Sequence, residues 1–158
     1  MADPIKKVAL LHEVFVLDAE LERPLKKDGY AASTKKLVAG LMKALKMKPL
    51  GKLEIYLATD KSAPGWSFIQ PITTSHISGH YFEKPGKFPH VHIDVYSCKK
   101  FSYKKVIQLL HRDLRFRSWS ANFVVRSTKH SSRKVCGIEG IGGGITKKYC
   151  LVQKNLVS

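Results

Sequence analysis

Chemistry-bearing side chains crowd into one stretch of this chain. His76, His80, His90 and His92 fall within 17 positions, alongside Ser67, Ser75, Asp94 and Cys98. Imidazole titrates near neutrality and moves protons, while a hydroxyl or thiol becomes a nucleophile or proton donor once a base is in reach. In an extended strand alternate side chains share a face, so His90, His92, Asp94, Tyr96 and Cys98 line one side and Val91, Ile93 and Val95 the other. The same alternation groups His76, Ser78, His80 and Phe82. Two such strands side by side could also hold a divalent metal. The spacing matches no specific zinc or iron motif, and no metal is assigned. Alternation puts Ser75 and His80 on opposite faces, so their meeting requires a bulge near Gly79 or a turn at Ser75.

These residues must be held by the elements around them. A β-branched and aromatic run over 8–17 reads as a strand, and 18–30 as a polar connection. Helical spacing of Leu37, Val38, Leu41 and Leu45 predicts a helix over 33–45, with Ser33 or Thr34 as N-cap. Further strands are expected over 53–59, 66–73, 75–83 and 90–98, punctuated by glycine and proline turns. Ser102 caps a second amphipathic helix, and 119–125 reads as a last strand. The pattern predicts an α+β domain, a two-layer sandwich of an antiparallel sheet with two helices packed on one face, built from two β-α-β-β-like halves. Residues 1–126 form that domain. Residues 127–158 read as a basic, glycine-containing C-terminal extension, loosely packed, because the 140–144 glycine run lacks both the P-loop Lys-Ser/Thr pair and a following helix.

The 158 residues fit one domain, and no apolar run is long enough to span a bilayer. The N-terminus resembles no secretory leader, which points to the cytoplasm. Three cysteines at wide spacings, Cys98, Cys136 and Cys150, read as free thiols in a reducing compartment. A formal charge of +16 raises a nucleic-acid partner as an alternative, although the lysines run from Lys6 to Lys154 with no nucleic-acid motif. No dinucleotide fingerprint, P-loop or pyridoxal-lysine signature stands out.

The segment Thr74-Ser75-His76-Ile77-Ser78-Gly79-His80, followed by Ile93-Asp94-Val95-Tyr96-Ser97-Cys98 and a helix, resembles the core of the small prokaryotic S-adenosylmethionine decarboxylases. In that family a Ser-His pair begins the new chain after self-cleavage, a histidine lies five positions beyond the serine, and an Asp-x-aromatic-x-Cys strand precedes a helix. Gly65-Trp66-Ser67 is similar to the family's glycine-x-serine upstream of the processing serine. Thr74 stands where the family most often has glutamate, and Tyr81-Phe82-Glu83 where it has Thr-Trp-Pro-Glu. The resemblance spans 8–125 and is most specific over 65–98.

That resemblance implies a pyruvoyl-dependent decarboxylase of polyamine (spermidine) biosynthesis that cuts itself between Thr74 and Ser75. Its only cofactor would be the pyruvoyl group made from Ser75, which takes the substrate's amine as a Schiff base. His80 and Ser67 would serve processing and Cys98 would return a proton to the substrate carbon, with Glu83 and His76 at the substrate. A homodimer acting on S-adenosylmethionine is expected. Relatives of this fold leave arginine and ornithine open as substrates. The other readings are a relative that no longer processes and acts as a binding or regulatory protein, and a basic nucleic-acid-binding module.

Overall fold

Alternation decides the layers of this molecule. A computed structural model describes residues 11–127 and 132–154, in the order β1 (Leu11–Leu21), α1 (Tyr30–Ala44), β2 (Glu54–Leu57), β3 (Gly65–Ile72), β4 (Ser75–Phe82), β5 (His90–Ser97), α2 (Tyr103–Leu114), β6 (Phe116–Ser127), β7 (Ser132–Ile141) and β8 (Gly144–Lys154). On β1 the side chains of Phe15, Leu17, Ala19 and Leu21 are buried, as are Val91, Ile93 and Val95 on β5. The intervening residues, Asp18 and Glu20 or His90, His92 and Asp94, fall on the opposite face.

The strands form one sheet in the order β2-β3-β4-β5-β1-β6-β7-β8, with every neighbouring pair antiparallel. β5 and β6 both pair with β1 and so run parallel to each other, and α2 carries the chain between them over one face. Both helices turn their apolar stripes to that face. Leu37, Val38 and Leu41 of α1, with Val106, Ile107, Leu110 and Leu114 of α2, close the core over the strands. The expected α+β two-layer architecture is the one observed.

Several boundaries differ from expectation, each for a physical reason. β1 runs on to Leu21, because Ala19 and Leu21 continue the buried face through residues read as a connection; residues 8–10 of the expected strand lie outside the described residues. α1 starts earlier, at Tyr30, behind the left-handed Gly29 (φ 74°), with no side-chain cap. Ser33 and Thr34 therefore sit inside the helix. Thr34 is buried, donating to the Tyr30 carbonyl and accepting from the Trp66 indole, which removes it from capping. Ser102 does cap α2, accepting from the Lys105 N–H at 3.4 Å.

Of the expected C-terminal extension, residues 128–131 and 155–158 lie outside the described residues; the described part, residues 132–154, is not loosely packed. It forms β7 and β8, which extend the sheet and bury Cys136 and Ile138 on the helix side. Part of the glycine run answers a packing demand, since a Cβ on Gly140 would fall 2.1 Å from the Trp119 ring. Cys136 and Cys150 face each other across the β7–β8 ladder and are joined in a disulfide, so the free-thiol expectation fails for these two and stands for Cys98. No helix among the described residues is long and apolar enough to cross a membrane.

Candidate active site

The sheet face away from the helices carries the clustered histidines, and strand register sets them out in rows. Ser67 of β3 pairs with His80 of β4, His80 with His92 of β5, and His92 with Asp18 of β1. Side chains follow the register: Ser67 Oγ lies 2.7 Å from His80 Nδ1, and His92 Nδ1 bonds to the Asp18 carboxylate. A second row crosses the other end of the same strands, where His76 pairs with Tyr96 and packs edge-on to it at 5.6 Å between ring centroids. The Tyr96 hydroxyl bonds to His12 Nδ1 at 2.6 Å, and the Arg126 guanidinium lies over the tyrosine ring.

β3 and β4 are joined at this second end by the tight turn Thr73-Thr74, across which Ile72 pairs with Ser75. Two-residue hairpins favour positive φ at their central positions, which glycine and asparagine supply. Here the chain has threonines instead, and the positive φ appears one residue later, on Ser75 at 151°. For a residue with a side chain that backbone is strained, a condition that persists where the surroundings impose it. The surroundings are visible: the Cys98 N–H donates to the Thr74 carbonyl at 2.9 Å, and Ser75 Oγ lies 3.2 Å from His76 Nδ1. Thr74 is buried and, among the described residues, its Oγ1 has no hydrogen-bond partner, which is unusual for an enclosed hydroxyl. Cys98 follows β5 beside this turn as a half-buried free thiol.

The sequence-predicted residues thus separate into two groups. Thr74, Ser75, His76 and Cys98 meet at one end of β4, while Ser67 and His80 meet nearer the other. Five residues of extended strand separate Ser75 from His80, about 16 Å. The bulge considered near Gly79 is absent, because β4 keeps unbroken register with both neighbours. Gly79 instead leaves room for a neighbouring ring, since a Cβ there would meet Phe68 at 2.6 Å. Glu83 follows β4 at the His80 end, beside Pro64 and Trp66. His12, Asp18 and Arg126 were not singled out from sequence, since only the register of β1 and β6 brings them in.

Asp94 sits between the two groups, opposite Ser78. Burial pushes its carboxyl above the ordinary value of 3.8, while His80, His76 and His92 pull the other way. A carboxyl raised in the folded state binds its proton more tightly there than in the unfolded chain, so stability falls as pH rises from 3.8 through the raised value. Asp94→Asn is therefore expected to melt higher than the parent at about pH 7.5, with the gap closing toward about pH 4. A lower melting point at neutral pH would mean that the histidines hold the carboxylate more strongly than burial opposes it.

An open cavity of about 640 Å³ adjoins the His92 row, lined by Asp18, Glu20, Glu139, Phe88, His90 and His92 among others. Its carboxylates and rings suit a cation. Among the described residues no group of three or more His, Cys, Asp or Glu side chains is placed to hold a metal ion. A sequence model of the family described as S-adenosylmethionine decarboxylase matches residues 29–127, which takes in α1 through β6. No curated protein matches the chain.

Proposed function

The chain belongs to the S-adenosylmethionine decarboxylase family, and from that premise we propose that it is a proenzyme that cuts its own backbone between Thr74 and Ser75 and decarboxylates S-adenosylmethionine with the pyruvoyl group so made. The observation that carries this reading is the Thr74–Ser75 turn: a strained Ser75 whose preceding carbonyl is held by a fixed N–H donor.

Cleavage begins when Ser75 Oγ attacks the Thr74 carbonyl carbon. Negative charge then builds on the carbonyl oxygen, where the Cys98 N–H already points, so the donor needs no reorganisation as the charge grows. His76 Nδ1, at 3.2 Å from Ser75 Oγ, is placed to take the hydroxyl proton. The C–N bond breaks and an ester replaces the amide. A base removes the Ser75 α-proton, the Thr74 carboxylate leaves, and the dehydroalanine left behind hydrolyses to a keto group with loss of ammonia. Release of strain at Ser75 favours this course over the resting peptide.

The residues fit that group, since Ser75 supplies its carbon skeleton and Cys98 flanks it. The keto group supplies the electron sink that decarboxylation requires. The Cys98 thiol, half-buried beside the turn, would deliver a proton to the substrate carbon once carbon dioxide has left. S-adenosylmethionine carries a sulfonium and an amine, and the open face offers Asp18, Glu20, Asp94 and Glu139 to a cation despite the net charge of +16.

One chain does not bring Ser67 and His80 to Ser75, and the uncovered sheet face suggests how a homodimer would. Val14, Val16, Val124 and Val135 are half-buried on it, and Tyr149 and Leu151 are 53% and 63% exposed. Two such faces stacked about 10 Å apart, around a two-fold axis crossing the strands at the Ser78–Asp94 row, lay the Ser75 end of one chain over the His80 end of the other. Each site would then take Ser75 and Cys98 from one chain and Ser67 and His80 from its partner.

Intact mass of the denatured protein tests the reading. Cleavage predicts two fragments, residues 1–74 and a keto-blocked 75–158, in place of one 17.8 kDa chain. A single uncut chain would favour a relative that binds without processing.

A further inference from the structure

The positive charge of this protein is not spread over it. Residues 22–52 and 99–115, which hold both helices and their connections, contain 15 Lys and Arg against three acidic residues, Glu22, Asp28 and Asp113. All 15 are exposed. Two of the three carboxylates are already engaged, Glu22 with Arg115 and Asp113 with Arg112. The opposite sheet face, by contrast, sets Asp18, Glu20, Asp94 and Glu139 against Arg117, Arg126, Arg133 and Lys147. The molecule is therefore two-sided, nearly neutral where it would meet a cationic substrate and strongly basic on its back. Ordinary soluble surfaces mix the two signs, because concentrated like charge repels itself.

The basic side also has a shape. α1 and α2 lie side by side, with Gly40 against Leu109, and a groove runs between them. At one end the groove opens into a cavity of about 440 Å³ that includes Lys26, Ser33, Lys36 and Arg112, and at the other into one of about 400 Å³ with Lys105, Gln108 and Arg112. Lys43 follows Lys36 by seven residues, two helical turns, and Arg112 follows Lys105 by the same interval, so each wall repeats its cation after about 10 Å. Helices pack 8–10 Å apart, which sets a similar distance across the groove. The apolar stripes of both helices are committed to the core. Leu50, 70% exposed, is the large apolar side chain left exposed among the described residues of these segments, and it lines neither cavity, so repeated anionic charge is what the groove can recognise.

We propose that the α1–α2 groove binds the phosphate backbone of a nucleic acid strand, without base specificity. Lys26, Lys36, Lys43 and Lys105 are free to meet phosphates of one strand, Lys36 and Lys43 about 10 Å apart along one wall, with Gln108 and Ser33 as uncharged donors and Arg112 held by Asp113. This proposal is independent of the decarboxylase reading.

The test is fluorescence anisotropy of a labelled oligouridylate of about 20 nucleotides titrated with the full chain. With four or five phosphates neutralised, affinity for a single strand should drop about 50- to 130-fold between 50 and 200 mM salt. Lys36→Gln/Lys43→Gln/Lys105→Gln should flatten the logarithmic salt slope by about 2. A variant of equal net charge, Lys84→Gln/Lys87→Gln/Lys147→Gln, should keep the parent's slope. Absence of binding, equal loss in both variants, or capture by phosphatidylserine vesicles without oligonucleotide binding would each overturn the proposal.

Discussion

Ser75→Ala is expected to remain one uncut chain and to lose at least about 10⁴-fold in decarboxylation, because an electron sink supplies most of the acceleration over the uncatalysed reaction. On the proposed reading, the substitution removes the attacking oxygen and the source of the keto group together. It leaves the fold in place: alanine at φ 151° is no more strained than serine, and the pairing of β3, β4 and β5 is made by backbone. Thermal melting of the variant should match that of the uncleaved parent while the mass spectrum shows a single species. Turnover that survived Ser75→Ala would place the chemistry elsewhere in the chain.

The strands around this serine were legible because their alternation is strong. Residues 90–98 read as hydrophobic-in, polar-out from sequence, and the structure agrees to within a residue. The β7–β8 hairpin was not legible, since its outer strand is exposed at Tyr149, Leu151 and Val152 and a basic strand exposed on both faces has no period to detect. The start of α1 was missed for a different reason. A backbone turn at Gly29 took the place of the side-chain cap that Ser33 and Thr34 offered by residue type, and Thr34 was needed by Trp66.

The site divides along the same line. Ser67 and His80 lie 13 positions apart on one hairpin, so local pairing was enough to bring them together. His12 and Tyr96 are separated by 84 positions, and Asp18 and His92 by 74, so only the register of a central strand reveals them. Charge behaves similarly. The total is read from composition, but its concentration on the helix side depends on which face each segment occupies.

The unbroken register of β4 makes the sharpest demand on function. With no bulge at Gly79, Ser75 and His80 of one chain stay about 16 Å apart along the strand, too far for proton transfer. If His80 acts in processing, it acts on the partner's Ser75, and two damaged chains can repair each other. Ser75→Ala and His80→Ala, each inactive alone, should regain function when co-expressed. In a mixed dimer one site combines the intact Ser75 of the His80→Ala chain with the intact His80 of the Ser75→Ala chain, while the other site lacks both. Random pairing at equal expression then gives about a quarter of the parental sites. The cut fragments should come only from the His80→Ala chain, which a mass tag on either chain would identify. If co-expression restores neither cleavage nor turnover, His80 does not work across a two-fold interface, and His76, which already touches Ser75, becomes the processing base within a single chain.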